Sequence, residues 1–129
     1  MANVPNDLRY TADHEYVRAT SDPAVFLIGI TDYAQGELGD VVFLNLPKPG
    51  DKLAAHQPFG TIEAVKAVAD LYAPIGGEVV AVNGALDADP AAVNRDPYGD
   101  GWMVTLKADN PADIAGLLAA DAYQAQIGG

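Results

Sequence analysis

The chain has 129 residues, half of them apolar, and carries 18 Asp and Glu against 7 Lys and Arg, for a net charge of −11. We expect one domain with a single core, because the length is ordinary for a domain and the apolar share is too high for a disordered chain. An acidic surface repels phosphate backbones and anionic lipids, which argues against nucleic acid and membranes as partners. The lack of cysteine excludes disulfides, thiolate catalysis and cysteine-based metal sites.

The first residues, MANVPNDLRY, indicate where the protein acts. They have neither the basic flank and apolar core of a signal peptide nor the Arg- and Ser-rich character of an organelle transit sequence. The longest apolar run, Ala24–Ile30, is too short to span a bilayer. We therefore expect a cytoplasmic protein, with a processed protein of the mitochondrial matrix as the alternative.

Short β-like runs separated by turn residues predict a mostly antiparallel β domain. In chain order we expect strands over residues 16–20, 24–30, 41–46, 59–65, 68–72, 78–83 and 102–107. In the last strand, Trp102, Val104 and Leu106 share one face, which we expect to be the core face.

Two short helices are expected among these strands, and a helical segment is expected after them. Thr31-Asp32 predicts a cap for a helix that ends near Gly39. Asp89-Pro90 predicts one or two helical turns that open at the proline. Asn110-Pro111 predicts the start of a C-terminal helical segment over about 111–126, with Ile114, Leu117 and Leu118 at helical spacing.

The residues predict no catalytic centre and no metal site. Ser21 is the only serine and stands in a predicted turn, and His14 and His56 lack the spacing of metal ligands. The run DHEY, from Asp13 to Tyr16, has residue types of a metal or acid–base site, but a solvated loop before a strand explains it better. The acidic region 87–100 lacks the spacing of a calcium loop.

Lys66 is the residue that most needs an explanation. It stands between Val65 and Ala67, where a charged amine costs free energy unless it projects into water, pairs or carries a group. A gatekeeper at a strand edge is the ordinary explanation, and covalent modification is the alternative. Glu63 and the turn Gly76-Gly77 favour a rigid sheet edge from which one amine could project. From the residues alone both interpretations stay open.

The stretch EAVKAVADLYAPIGGEV resembles the lipoyl motif of the glycine cleavage H-protein family, E-S-V-K-A followed by S-D-V-Y-S/A-P-V-S-G-E-V. Further colinear segments are similar to that family: LRYTADHEYV, the run from Gly29 to Pro47, DPYGDGWM and NPAD. The resemblance implies one lipoyl-carrier domain over 1–129, a flattened antiparallel β sandwich or barrel of the lipoyl/biotinyl carrier type. It also implies short helices, a C-terminal helix and a lipoyl hairpin over about 59–73.

The resemblance implies a carrier and not an enzyme, with lipoic acid attached covalently to Lys66. In the family, the decarboxylating P protein loads an aminomethyl group from glycine onto the lipoyl arm. The T protein, an aminomethyltransferase, removes the one-carbon unit, and the L protein, a dihydrolipoyl dehydrogenase, reoxidises the dithiol. The implied partners are these three proteins and a lipoylating enzyme.

The resemblance also implies roles for five further residues. Glu63 and Gly77 match positions that guide the lipoylating enzyme to the correct lysine. Glu15 and Asp70 match acidic positions of a cleft that holds the loaded arm, and Glu37 lies where the lip of that cleft is expected. A loaded aminomethyl arm is cationic and prone to hydrolysis, so a cleft that excludes water and offers carboxylates would protect it.

Four positions depart from the family pattern. Tyr16 stands in place of the usual tryptophan and Tyr33 in place of histidine, while Ala64 and Gly76 replace serines. Tyr16 keeps an aromatic body with a polar tip, so we expect the packing at this position to be retained.

Four alternatives to the glycine cleavage carrier stay open or are disfavoured by the residues around Lys66. One is an H-like carrier that mainly serves lipoyl transfer to other lipoyl proteins. Another is a lipoyl domain of a 2-oxo acid dehydrogenase, which typically shows DKA, and a third is a biotin carrier, which shows MKM around its lysine. The fourth is an interaction domain in which Lys66 stays unmodified.

Overall fold

The computed structural model describes residues 3–128, which form two antiparallel sheets and several short helices. The strands in these residues are β1 (Arg9–Tyr10), β2 (Glu15–Ala19), β3 (Val25–Ile30), β4 (Val41–Asn45), β5 (Lys52–Leu53), β6 (Pro58–Ala64), β7 (Val68–Tyr72), β8 (Gly77–Val82) and β9 (Val104–Ala108). The helices are α1 (Asp32–Leu38), α2 (Ala85–Ala88), α3 (Ala92–Arg95), a 3₁₀ helix at Pro111–Gly116, and α4 (Ala120–Gln126).

The two sheets form a sandwich around a shared core. The larger sheet has the order β1-β2-β3-β9-β8-β5, and the smaller has the order β4-β6-β7. Ile28 and Leu106 from the larger sheet pack in one buried cluster with Ile62 and Leu71 from the smaller. This confirms the mostly β, antiparallel fold class as an open sandwich and not as a closed barrel. Within residues 3–128, the helices are all too short or too polar to cross a bilayer.

The alternation in β9 is confirmed for part of the expected strand. Val104 and Leu106 are fully buried, as a core-facing pair two residues apart should be. The expectation for Trp102 was wrong, because β9 begins only at Val104 and the alternation does not extend back through the preceding loop. Met103 is buried instead, and its N–H donates to the carbonyl of Ile28 at 2.9 Å.

The C-terminal segment contains two short helices rather than one. Asn110 caps the first of them, as expected, by accepting from the N–H of Ala112 at 3.2 Å. Leu117 and Leu118 are not helical, because Leu118 pairs with Tyr10 in an antiparallel bridge with N–H···O distances of 2.8 and 2.9 Å. This bridge uses backbone groups that a continuous helix would have bonded internally, so the helix over 111–126 is interrupted.

The other helices agree with the sequence in part. The side chain of Thr31 accepts from the N–H of Ala34 and caps α1, which ends before Gly39 as expected. The helix expected to open at Pro90 starts later, at Ala92, because residues 89–92 first form a turn in which the N–H of Ala92 donates to Asp89. Neither β5 nor α2 was expected, since each is too short to leave a periodic pattern.

A second, aromatic cluster holds the two ends of the chain against the larger sheet. The rings of Tyr10 and Tyr123 stack with centroids 4.7 Å apart, and Tyr16 meets Tyr98 edge-on at 5.1 Å. Tyr16 is fully buried and donates its hydroxyl to the carbonyl of Pro97 at 2.7 Å. The expected retention of packing at Tyr16 is thus confirmed, with the polar tip satisfied as a buried phenol requires.

Gly76 lies just before β8 and Gly77 is its first residue, and the two glycines differ in how closely other atoms approach them. A Cβ at Gly77 would overlap the carbonyl oxygen of Lys107, whereas a Cβ at Gly76 would meet its nearest neighbours at an ordinary 3.5 Å. We expect Gly77→Ala to lower the free energy of unfolding by about 1–3 kcal/mol, because β8 must move away from β9. Gly76→Ala is the matched control and should change it far less. Urea unfolding of the two variants measures this, and equal stabilities would contradict the packing argument.

Candidate functional site

Lys66 lies at the tip of the β6–β7 hairpin, and its side chain is exposed. The turn is short, and the N–H of Ala64 donates to the carbonyl of Ala67 at 2.8 Å to close it. Val65 and Ala67 lie in the turn between the end of β6 at Ala64 and the start of β7 at Val68, and Val65 is exposed like Lys66, whereas Ala67 is half-buried. The structure describes no ion pair of Lys66 within residues 3–128.

The hairpin tip is fixed by a bond to a different part of the chain. The N–H of Val65 donates to the carbonyl of Asp40 at 3.0 Å, which ties the tip to the segment between α1 and β4. Neither Val65 nor Ala67 is a turn-forming residue type, so local propensity does not make the reversal. The tertiary bond to Asp40 supplies what the local sequence lacks.

Gly39 forms the surface on which the aliphatic stem of Lys66 lies. Its φ of +82° is in the left-handed region, and a Cβ there would come within 3.0 Å of Cε of Lys66 and 3.7 Å of Cδ. Both the backbone conformation and the close approach favour glycine at this position. The preceding residue, Leu38, lines the cleft described below, so the lysine stem lies beside that cleft.

Asn94 in α3 holds this segment from the other side. Its Nδ2 donates to the carbonyl of Gly39 at 2.8 Å and to Oε1 of Gln35 at 3.0 Å, and its Oδ1 accepts from the N–H of Val41 at 2.9 Å. One amide therefore satisfies three groups around the end of α1. The backbone segment beside Lys66, residues 39–41, is therefore held by hydrogen bonds from two directions, one from the side chain of Asn94 and the other from the N–H of Val65.

A cleft of about 270 Å³ opens between α1, the loop before β2 and the strands β6 and β7. We call it the acidic cleft; its lining is Asp13, His14, Glu15, Ile30, Tyr33, Ala34, Glu37, Leu38, Ile62, Ala69, Asp70 and Leu71. The three carboxylates predicted to belong to a cleft, Glu15, Asp70 and Glu37, are thus brought together in one cavity. Glu15 is buried, whereas Asp70 and Glu37 are exposed at its rim.

Glu15 spans the two sheets from the bottom of the acidic cleft. Its Oε1 accepts from the hydroxyl of Thr11 at 3.0 Å, and its Oε2 faces the N–H of Tyr72 in β7 at 3.5 Å. Only 2% of the residue is exposed. Burial raises the pKa of Glu15 to about 8, against the smaller opposing effect of the Thr11 and Tyr72 hydrogen bonds. At neutral pH the carboxyl therefore holds a proton in the absence of a nearby cation.

One wall of the acidic cleft is braced by the C-terminal helix. Nδ1 of His14 lies 2.8 Å from the hydroxyl of Tyr123, which in turn lies 2.7 Å from the hydroxyl of Thr31. Burial lowers the pKa of His14, so its imidazole is neutral at pH 7. Tyr33 faces the cleft on α1, and its hydrogen bond with Glu37 raises the pKa of its phenol.

Glu63 and Gly77, predicted to guide lipoylation, do not line the acidic cleft. Glu63 is in β6, three residues before Lys66, and is half-buried between Phe43 of β4 and Val68 of β7. Gly77 is in the larger sheet, and its close approach to Lys107 gives it a packing role. The part of either residue in lipoylation stays a prediction.

Three contributors to the site were not predicted from the sequence. His14 was assigned to a solvated loop, yet it lines the acidic cleft; its place in the run DHEY beside Glu15 was the available signal. Gly39 and Asn94 left no signal, because their roles depend on atoms distant in sequence. In the part of the chain that the structure describes, no cluster of three or more His, Asp or Glu could hold a metal ion.

Comparison with known proteins identifies a family for nearly the whole chain. The family model described as "Glycine cleavage H-protein" matches residues 8–128. A glycine cleavage system H protein of Chlorobium limicola is 56% identical over 126 residues, covering 98% of each chain. One of Opitutus terrae is 54% identical over 128 residues, covering 99% of this chain and all of that protein. The crystal structure of a glycine cleavage system H protein from Mycobacterium marinum matches 98% of this chain and all of its own, with a TM-score of 0.89 and 38% identity.

The raised pKa of Glu15 makes stability depend on pH. The carboxyl titrates near 4.5 when unfolded and near 8 when folded, so between these values the folded state holds a proton that the unfolded state has lost. Its stabilising contribution is fully present below about pH 4.5 and is lost as the pH rises through about 8. Glutamine cannot ionise, so we expect Glu15→Gln to avoid this loss. Relative to wild type, the free energy of unfolding of the variant should rise by about 1–3 kcal/mol between about pH 5 and pH 8.5.

Urea unfolding of wild type and variant across this pH range measures the difference. Glu37→Gln is the control, because it removes an exposed carboxyl at the rim of the cleft and leaves the buried carboxyl of Glu15 in place. A constant difference between Glu15→Gln and wild type would contradict the protonated state of Glu15.

Proposed function

The chain belongs to the glycine cleavage H-protein family, and from that premise we propose that it carries lipoic acid on Lys66 and shuttles the aminomethyl group derived from glycine. The known function of this family is that of a lipoyl carrier and not of a catalyst. The observation that carries the assignment to Lys66 is its position: an exposed amine at a hairpin tip that is fixed by Asp40 and lies beside the acidic cleft. Residues 8–128 match the family as one stretch, which supports a single carrier domain.

The residues around Lys66 fit a lipoyl group. Its amine is exposed for acylation, and glycine at position 39 lets the aliphatic stem of Lys66 lie close to the backbone at the end of α1. When bound as an amide, lipoic acid supplies a dithiolane at the end of a flexible arm that can accept the aminomethyl group. The acylation also removes the positive charge of Lys66, so no charge is held against Val65 and Ala67.

The acidic cleft is suited to hold and protect a cationic group. Asp70 and Glu37 at its rim attract the cation, and Glu15 meets it at the bottom, where water is excluded. A cation beside Glu15 favours the ionised carboxylate, so its arrival would release the proton that burial retains. A charge-assisted hydrogen bond then forms in a site of low dielectric, where it is stronger than at the surface.

The proposed partners are the other components of the glycine cleavage system. We assign loading to the P protein, removal of the one-carbon unit to the T protein, and reoxidation to the L protein. The net charge of −11 favours partners with basic docking surfaces. We propose that this exchange takes place in the cytoplasm, because the relatives compared are bacterial.

The family membership also bears on the alternatives. It disfavours a biotin carrier and a 2-oxo acid dehydrogenase domain, since the matched proteins are named as glycine cleavage H proteins over their full length. An H-like carrier that mainly serves lipoyl transfer remains the alternative. That protein would accept lipoic acid on Lys66 but would not support exchange of glycine carbon with the P protein.

The proposal is tested by the exchange of labelled bicarbonate into glycine, catalysed by the P protein with this chain as carrier. We expect lipoylated wild type to support the exchange and Lys66→Arg to abolish it, because arginine keeps the charge but forms no lipoyl amide. Lys52→Arg is the matched control, since Lys52 lies in β5 and pairs with Glu78. Exchange by Lys66→Arg at the wild-type rate would contradict the assignment to Lys66, and no exchange by lipoylated wild type would favour the lipoyl-transfer role.

The role of the acidic cleft is tested by the lifetime of the loaded aminomethyl group. We expect Glu15→Gln to release it as ammonia and formaldehyde about 10- to 100-fold faster, because a charge-assisted hydrogen bond of about 1.5–3 kcal/mol is lost. Glu63→Gln is the control, since Glu63 lies outside the cleft. Equal rates of release from the two variants would argue that the cleft does not hold the group through Glu15.

A further inference from the structure

The hydroxyl of Tyr123, in α4, bonds to two of the elements that form the acidic cleft. It lies 2.8 Å from Nδ1 of His14, in the loop before β2, and 2.7 Å from Oγ1 of Thr31, the cap of α1. Tyr123 and Thr31 are both 0% exposed, so water does not reach this pair of hydroxyls. One buried phenol therefore joins the loop that leads into Glu15 to the start of the helix on the other side of the cleft.

The direction of these two hydrogen bonds follows from the hydrogens available to them. Oγ1 of Thr31 already accepts from the N–H of Ala34 at 3.2 Å, and within residues 3–128 the oxygen of Tyr123 is the acceptor for its own hydrogen. Thr31 therefore donates to Tyr123, and Tyr123 donates to Nδ1 of His14. The opposite direction would leave the buried hydroxyl hydrogen of Thr31 without an acceptor, which is more costly than any difference between the two orders.

This order of donors determines the tautomer of His14. Nδ1 uses its lone pair to accept from Tyr123, so the hydrogen of the neutral ring is on Nε2. The ring is neutral because burial lowers the pKa of His14 more than the nearby carboxylates of Asp13 and Glu37 raise it. Burial also raises the pKa of Tyr123 to about 12, so its phenol keeps the hydrogen that it donates. Neither ring nitrogen of His14 then has a lone pair free to take a proton.

A histidine with a free lone pair would be a base in the acidic cleft, because His14 is part of its lining. A base removes a proton from an ammonium ion, and the uncharged amine that results is no longer attracted to the carboxylates of Glu15 and Asp70. We propose, on the basis of the function proposed above, that Tyr123 is a positioning residue: it holds His14 as a hydrogen-bond donor, so that His14 does not deprotonate a loaded aminomethyl group. The cation is then left to the carboxylates alone.

The tautomer is tested by NMR of isotope-labelled histidine in the protein without lipoic acid. We expect Nε2 of His14 to carry the hydrogen in wild type. Tyr123→Phe should raise the pKa of His14, because the lost hydrogen bond stabilises only the neutral ring. Tyr10→Phe is the matched control, since Tyr10 stacks on Tyr123 but donates its hydroxyl to the carbonyl of Pro5 and does not line the cleft. A hydrogen on Nδ1 in wild type would overturn the proposal, as would a pKa of His14 that does not rise in Tyr123→Phe.

The consequence is tested by the lifetime of the loaded aminomethyl group in the lipoylated proteins. We expect Tyr123→Phe to release the group about 2- to 10-fold faster than wild type, as the loss of one hydrogen bond predicts, and Tyr10→Phe to release it at the wild-type rate. Unfolding midpoints of both variants verify that they are folded under the conditions of the assay.

A double variant separates a base from a general loss of structure. His14→Asn, added to Tyr123→Phe, removes the imidazole, and asparagine tolerates the left-handed backbone at this position, where φ is +71°. We expect the double variant to recover the wild-type lifetime. Equal lifetimes of wild type and Tyr123→Phe would overturn the proposal, as would a double variant that releases the group as fast as Tyr123→Phe. If wild type itself cannot be loaded, the proposed function fails, while the NMR measurement still decides the tautomer of His14.

Discussion

The hydrogen bond from the N–H of Val65 to the carbonyl of Asp40 is the constraint on which the site depends. It holds a hairpin tip that has no turn-forming residues, and it joins the smaller sheet to the end of α1. Because Asn94 fixes the same segment through Gly39 and Val41, the tip is attached to a rigid support. The lysine therefore projects from a defined place while its own side chain stays free to carry a group.

The sandwich also explains why the acidic cleft lies beside this lysine. The cleft forms where α1 and the loop before β2 meet the smaller sheet, and Glu15 reaches across to Tyr72 at that junction. A carboxyl buried there is costly unless it is protonated or meets a cation. An ionised Glu15 is thus unfavourable while the cleft is empty. It becomes favourable when the cleft holds a positively charged group.

Much of this organisation was readable from the sequence. The hairpin strands, the Thr31 cap of α1 and the antiparallel fold follow from alternation, cap chemistry and turn residues, and the family motif singled out Lys66. The break in the C-terminal helix was not readable, since the bridge of Leu118 to Tyr10 depends on a partner 108 residues away. Gly39 and Asn94 were missed for the same reason, because tertiary contacts and not local patterns define their roles.

The most direct test of the account is the mass of the protein made with lipoic acid and a lipoylating enzyme, followed by mapping of the modified peptide. We expect a single lipoyl group, on the peptide that contains Lys66 and on none that contains Lys48, Lys52 or Lys107. An unmodified protein, under conditions that lipoylate a known carrier, would contradict it. The hairpin would then be the contact surface of an interaction domain.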